Sequence, residues 1–536
     1  MPLKKSVTIV LATIVLITSF VSAYFVLNIF FGSAFEIKSW NVMDDEGFPS
    51  LSYNYTCSDY VVVKMFDLNS NLVDTDNFLA GEDSKIICFG SYKQTITPGS
   101  YTLKAYDKDG DELFLKSFHF NGPDLSISSC DQKWWVNGDD TILIGLSFTV
   151  FNSGDTPIYP YSIDIKTNSE SFSGLVLPAT IASGKAKSID CVVYKKGSPA
   201  SNSFTVEIKD IDGRMIASSS FAFDVKNSIS TKYFTKGVPK KISVPYPEFL
   251  YNYYSNLERI SENDYSYYVF DPYDDLYIDL FIDRLISALT FGETAFNAKS
   301  DYEKIDFIAD FVQNLEYKED VIINGSSEYP NYPIETFFNR KYGCDCEDKS
   351  ILTASLLDRL NYSVALFRLP NHMSVGVKLG QNAVPGRDYY YEDYYYLETT
   401  TEAAPLGFIP TQYRNSVSEL EVYEISDRPY LTHEWINNVL TIYTKTEFGN
   451  FVKMDAVVEN YGRTTAENIV VKGVFVSNYG FEINSNSISV SSLEPGKKKK
   501  VTLSVDIPSV TTTFESRIIY GGKTVDTKES STTFPT

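Results

Sequence analysis

Three residues in the middle of this chain have the types and the order for nucleophilic chemistry at an amide: Cys346, His372 and Glu398. In such a set a thiolate attacks a carbonyl carbon, an imidazole moves the proton, and a carboxylate fixes the imidazole tautomer. Cys346 lies in Tyr342-Gly-Cys-Asp-Cys-Glu-Asp348, directly ahead of Ile351, Leu352, Ala354, Leu356 and Leu360. That apolar spacing predicts a helix buried on one broad face. Asp345 suits the N-cap, Asp348 three residues on completes a capping-box pattern, and Asn361 suits a left-handed C-terminal cap. Cys346 then falls in the first helical turn, where unpaired N–H groups and the macrodipole favour a thiolate. Glu347 and Asp348 work against a second anion there, so the thiol needs a histidine partner.

His372 is one of three histidines and is the one near this helix in sequence. It follows a strand-like run at 363–369 and the pair Pro370-Asn371, and a further strand-like run at 394–400 carries Glu398. Alternation along strands puts Tyr396, Glu398 and Thr400 on one face, and His372, Ser374 and Gly376 on one face of the other. Pairing those strands brings Glu398 beside a His372 nitrogen, leaving the other nitrogen for Cys346. Glu392 and Asp393 are alternative acids. Taken singly, a cysteine near a helix start is more often an inert small hydrophobe, and a lone histidine more often structural. The three in this order favour catalysis. Cys344 and Cys346 form a Cys-x-Cys pair, but one histidine and no further cysteine nearby fall short of a four-ligand zinc site. Cys344 is read as packing, and no metal or organic cofactor is expected.

Gly-Cys-Asp-Cys-Glu-Asp opening a helix, then Asn371-His-Met373, then Tyr396-Leu-Glu-Thr-Thr400, resembles the transglutaminase-like superfamily. The branch it is most similar to occurs in archaeal surface proteins and bacterial transglutaminase-like cysteine proteinases. Phe311-Val-Gln-Asn-Leu-Glu-Tyr317 and Tyr332-Pro-Ile-Glu-Thr336 agree with it. The resemblance covers roughly residues 233–413. It implies a papain-like α+β core with Cys346 as nucleophile, His372 as base and Glu398 as the orienting acid. The superfamily mostly has Asp where this chain has Glu398.

The remaining composition bounds the setting. The net charge of −22 argues against nucleic-acid binding, where a basic footprint is expected, and suits a solvated exterior surface. Lys4 and Lys5 precede an apolar run covering residues 6–31. That run is long enough to span a bilayer and continues past the small-residue group Val21-Ser-Ala23 that could end a cleaved signal. The expectation is a retained, single-pass anchor with the N-terminus inside and the bulk of the chain extracytoplasmic. Four of the six cysteines precede the helical region, and Cys57–Cys88 and Cys130–Cys191 are the expected disulfides of an oxidising exterior. Glycosylation sequons begin at Asn54, Asn324 and Asn361.

The expected organisation is multidomain: residues 1–35, a cytoplasmic stub and transmembrane helix; 36–122, a β-sandwich; 123–226, a second; 227–428, the transglutaminase-like domain; 429–536, a C-terminal β-sandwich. Asp109-Gly110 and Asp212-Gly213 between alternating runs predict hairpin tips. Asp107, Asp109 and Asp111 are read as a solvated turn rather than a calcium loop. Asn152-Ser-Gly154 followed by Gly184, and Asn460-Tyr-Gly462 followed by Gly496, have similar layouts and predict two copies of one module. Both resemble adhesion-type, immunoglobulin-like domains. Residues 265–291 and 301–317 carry helical spacing, with Ile305, Ile308, Phe311, Val312 and Leu315 on one stripe. The run from Lys497 to Lys500 is read as a solvated strand start.

The resulting expectation is a membrane-anchored, extracytoplasmic cysteine peptidase or amidase acting through a thioester on a protein or cell-wall peptide. The Cys346 backbone N–H is the expected oxyanion donor, with Gln313 as the second. The alternative is a surface adhesion or envelope protein that meets other cell-surface proteins through its β-modules, with an inactive thiol-fold domain as a spacer.

Overall fold

The structure is a computed structural model, and it describes residues 35–535 except 79, 260–263, 321–327, 339–343, 381–382, 385–389, 426–427, 437–439 and 447–448. The expected membrane anchor, the Asn324 sequon and the glycine turn at 342–343 lie outside the described residues. No described helix is long and apolar enough to cross a membrane.

The chain divides into two compact units. Among the described residues, the first comprises 35–125 with short segments 152–159 and 180–185. Its strands form a three-stranded sheet (Phe35–Asp45, Phe48–Cys57, Gly81–Cys88) and a four-stranded sheet around the 61–120 region. Alternating Val61, Val63 and Met65 and facing Leu51, Tyr53 and Tyr55 fill one core, as period-two patterning requires. The Asp109-Gly110 tip is present: Gly110 has φ 87°, and Asp107 Oδ1 accepts the N–H groups of Asp109 and Asp111 at 3.0 and 2.8 Å. The aspartate caps its own turn.

The expected disulfides are not formed, and each of the six cysteines carries its thiol outside any disulfide. Register explains the first pair. Cys57 lies opposite Gly81 and Cys88 opposite Ser50, at opposite ends of the same two strands. Cys130 and Cys191 sit on strands Leu125–Asn137 and Lys185–Lys196, with Asp140–Asn152 between them in the sheet. Strands two places apart are separated by roughly 9–10 Å, beyond the reach of a disulfide.

The second unit holds the remaining chain. A seven-stranded sheet covers most of residues 125–222, and the Asp212-Gly213 hairpin closes it at one edge. The C-terminal region has two four-stranded sheets around one core of Val452, Met454, Val471, Phe475, Leu503 and Phe514. The repeat read from sequence reappears as hydrogen bonds. Asn152 Nδ2 donates to the carbonyls of Thr156 and Ile181, and its Oδ1 accepts Gly154 N–H. Asn460 Nδ2 donates to Thr464 and Leu493, and its Oδ1 accepts Gly462 N–H. Gly184 and Gly496 N–H then donate to the Asn152 and Asn460 carbonyls, both glycines at φ near +68°. Asn460 is fully buried, so Asn460→Ala should orphan several buried groups. A loss of about 2–4 kcal/mol is expected, read as a lower-melting transition by calorimetry, whereas Lys499→Ala on the neighbouring strand should shift it little.

Between these sheets lies a helical layer. The stretch 265–291, expected to be helical, holds two helices, Ser266–Phe270 and Asp275–Ser287, and a third, Gly292–Asn297, follows it. Pro272 causes the first break, because the residue before a proline is driven out of the α region. Asp271 accordingly has φ −63° and ψ 123°. The stretch expected at 301–317 forms a helix that stops at Gln313, short of Leu315; Asp301–Gln313 is capped by Ser300 and Glu303 in a capping box, with Ile305, Ile308, Phe311 and Val312 buried. These helices and the helix Cys346–Arg359 pack on a five-stranded antiparallel sheet. Its order is Tyr390–Tyr391, Tyr394–Leu397, His372–Lys378, Val364–Leu369, Glu421–Ile425.

Candidate functional site

The cysteine helix begins at Cys346, with Asp345 and Asp348 forming the expected capping box. Its end is also as read, with Asn361 at φ 65°. The helix is anchored from both sides. Asp348 accepts the Asn331 backbone N–H at 2.7 Å and the Asn331 side chain at 2.5 Å. The buried Lys349 ammonium donates to the carbonyls of Gln313 and Leu315 at 3.2 and 2.7 Å. A helix start pinned this way holds its first turn, and therefore the thiol, in one place.

His372 opens its strand directly after a tight hairpin in which Leu369 pairs with His372. Asn371 takes φ 58°, a left-handed position that asparagine tolerates. The strand Tyr394–Leu397 pairs with the far side of the histidine strand, Val375 opposite Leu397. Glu398 is the next residue and turns back toward the hairpin. His372 Nε2–H donates to Glu398 Oε2 at 3.1 Å, both side chains being buried. The ring presents Nδ1 away from the acid. On the other side, the backbone N–H of Met373, next to His372, hydrogen-bonds the Cys346 thiol. His372 and Glu398 therefore form one buried pair, and the Cys346 thiol meets the backbone of the residue next to the histidine. The alternative acids do not join them: Asp393 pairs with Lys378 at 3.2 Å and is largely exposed, and Glu392 lies in an exposed turn at φ 52°.

Glu398 is held as an anion. Its Oε1 accepts the N–H groups of Thr399 and Thr400 at 3.1 and 2.8 Å and the Thr400 hydroxyl at 2.6 Å. Its Oε2 also accepts the Tyr396 hydroxyl at 3.2 Å. Burial alone would raise this carboxyl, but the His372 hydrogen bond and charge and the Thr400 donors outweigh it and hold it at about 2. Tyr413 stacks flat on the imidazole, ring centroids 4.0 Å apart and planes 2° from parallel. Tyr413 comes from a short 3-10 segment, Thr411–Tyr413, and nothing in its local sequence marks it.

Gln313 does not act as the expected second oxyanion donor. Its Nε2 is occupied, donating at 2.8 Å to the carbonyls of both Glu398 and Ala404. It fixes the backbone that carries the acid. Gln313→Leu should therefore lower turnover by about 10–100-fold through misplacement without altering the thiol itself. Steady-state kinetics beside alkylation of Cys346 would separate those effects.

The thiol's surroundings are acidic. Burial comes first, then Glu347 and Asp345, in pushing the Cys346 thiol well above its usual value. The thiol donates to Glu347 Oε2 at 3.2 Å. Burial and a hydrogen bond with Asp345 push Glu347 up to about 11, and burial with Asp345 pushes Asp320 up to about 7. Glu347 therefore holds its proton at neutral pH, while Asp320 is partly protonated there. Sequence reading missed Asp320 and Glu328, which lie near Glu347 at the helix start. Ligand atoms of Asp345, Cys346 and Glu347 lie within 4.8 Å of one another, as do those of Asp320, Glu328 and Glu347. Asp320 Oδ1, Asp345 Oδ1 and Glu347 Oε1 are buried without a hydrogen-bond partner. Hard oxygen donors of this kind suit a divalent cation better than the zinc set the Cys-x-Cys pair would need.

Comparison with known proteins adds little. No family model matches the chain, and no curated protein matches it. Among solved structures, the YadV chaperone is similar to 35% of this chain over 100% of its own length, at 13% identity and a TM-score of 0.14. The exo-chitosanase CsxA of Amycolatopsis orientalis is similar to 90% of this chain over 76% of its own length, at 10% identity and a TM-score of 0.15. Likeness at that level constrains neither fold nor activity.

Proposed function

We propose that this chain is an extracytoplasmic thiol enzyme of the transglutaminase-like kind that opens an amide bond through Cys346, His372 and Glu398. The observation that carries the reading is the buried His372–Glu398 pair, with the residue after His372 bonded to the Cys346 thiol. In the proposed cycle His372 Nδ1 takes the thiol proton as sulfur attacks the carbonyl carbon. The imidazolium, stabilised by Glu398, then gives that proton to the leaving amine, and a thioester remains. Water accepts the acyl group in the hydrolytic form, with His372 now acting as base. The Cys346 backbone N–H at the helix start is the oxyanion donor. The flanking sheets are proposed as immunoglobulin-like modules that hold this domain outside the membrane, tethered through residues 6–31. A screen of unfolded proteins and cell-wall peptides tests the reading. Release of new amines that stops in Cys346→Ala supports it, and release that persists in that variant contradicts it.

A second reading has its own observation. The raised thiol and the carboxyls around it disfavour a resting thiolate, as in a domain retained for structure in an adhesion or envelope protein. It predicts no His372-dependent thiol reactivity at any pH.

A further inference from the structure

A cleft of about 680 Å³ opens between the edge strand Glu421–Ile425 and the C-terminal sheets. That volume is within the range of ligand-holding pockets. Tyr423, Tyr430 and Tyr520 wall it, and Asp264, Arg428 and Asp526 supply charge of both signs.

The cleft is preformed. Arg463 clamps Asp358 of the cysteine helix with two hydrogen bonds of 2.8 and 2.5 Å. Tyr461 and Arg463 N–H donate to the carbonyls of Tyr430 and Arg428. Asp526 is fixed by His433, whose backbone N–H and Nδ1–H both donate to its Oδ2 at 2.7 Å. The buried Ser516 hydroxyl lies 2.6 Å from His433 Nε2 and accepts Trp435 Nε1–H at 2.7 Å. This serine, histidine and aspartate have the order of a hydrolytic triad, but Ser516 is fully buried beneath an indole. They brace a wall.

The sheet links the cleft to the thiol's hairpin. Arg368 lies opposite Met373 on one side and opposite Glu421, two residues before Tyr423, on the other. Arg368 binds Glu421 at 3.1 Å, Tyr423 donates to the same carboxylate at 2.7 Å, and Asp264 acts on the Tyr423 phenol. Hydrogen bonds and register thus tie the cleft's Tyr423 wall to the strand that carries His372 and Met373. Its borders are sheet edges: Glu421–Ile425, Leu431–Trp435 and Lys523–Phe534 each end a described sheet. Strand edges with aromatic side chains and mixed charge match an extended polypeptide, whose backbone both donates and accepts.

We infer that this cleft holds an extended segment of a polypeptide substrate on one side of the bond presented to Cys346. The inference rests on the thiol-enzyme reading above. The test is selection of a random 12-residue peptide library on full-length protein carrying Cys346→Ala, followed by anisotropy with fluorescein-labelled selected peptides. Val525→Trp fills the cleft from a side chain 47% exposed, and Arg428→Glu reverses a charge on its wall. Each, added to Cys346→Ala, should weaken binding at least tenfold, with circular dichroism reporting that the fold is kept. No enrichment, or equal binding by both variants, overturns the inference. So does binding of chitotetraose or cellotetraose to the cleft in place of peptide. Alkylation of Cys346 by iodoacetamide reads the enzyme claim separately: its failure removes that claim and leaves the peptide result standing.

Discussion

Glu398→Gln should fold and lose turnover by about 10³–10⁴-fold, the scale seen when a triad acid is neutralised. The reason is local. The three Thr399 and Thr400 donors all point at Oε1, so the glutamine must keep its carbonyl there. Its amide nitrogen then replaces Oε2 and faces His372 Nε2, turning an acceptor into a donor. The ring responds by carrying its proton on Nδ1, which is the nitrogen that must accept from the thiol. Tyr396 can rotate its hydroxyl to accept, so the stability loss should be about 1–3 kcal/mol. The kinetic and stability effects therefore part company, and Asp393→Asn should show neither. Wild-type kinetics for Glu398→Gln with inactive Asp393→Asn would mean the acid is misassigned.

The same carboxyl sets an acid-stability signature. Its value of about 2 in the folded chain lies below the unfolded carboxyl value of about 4.3. Its stabilisation is therefore complete above that unfolded value and is lost as pH falls through it toward 2. Glu398→Gln should flatten this part of the acid-unfolding curve.

The second large effect concerns the two cysteines. Cys346→Ala should abolish turnover, a loss of the order of 10⁴–10⁶-fold as for other covalent nucleophiles. Cys344 differs in kind. Its thiol is buried and pushed well above its usual value by that burial and then by Asp348, and its backbone exchanges two hydrogen bonds with Lys318. Cys344→Ala should leave turnover within a few-fold and cost about 1 kcal/mol or more of packing. Turnover retained in Cys346→Ala but lost in Cys344→Ala would reverse the assignment.

Much of the site is readable in sequence because its parts are local. A cap, a two-residue turn and strand alternation are short-range signals, and they put Cys346, His372 and Glu398 at the ends of three elements. The Asn152 and Asn460 corners are readable for the same reason, since an asparagine two residues before a glycine is a short-range turn signal. What escapes is tertiary. Tyr413 reaches the imidazole only because the chain crosses the sheet, and Gln313 serves the acid through a backbone carbonyl that no pattern exposes. Asp320 and Glu328 meet Glu347 across a sequence separation that no local pattern spans. The helix break was visible in Asp271-Pro272 and was overridden by the apolar spacing around it. The expected disulfides followed domain logic, which contains no register; Cys57 and Cys88 face different partners on one strand pair.

The central claim is that His372 activates Cys346 despite the acids beside it. The most direct measurement is the rate of Cys346 alkylation by iodoacetamide across pH 5–10, by peptide mass spectrometry, in wild type and in His372→Gln. The thiol is pushed up by burial and by Glu347 and Asp345, so unaided reactivity should be low at neutral pH and rise only in the alkaline range. The account predicts a wild-type rate at pH 7 at least tenfold above that of His372→Gln, with the two converging at high pH. Superimposable profiles, both rising only above pH 9, would contradict it.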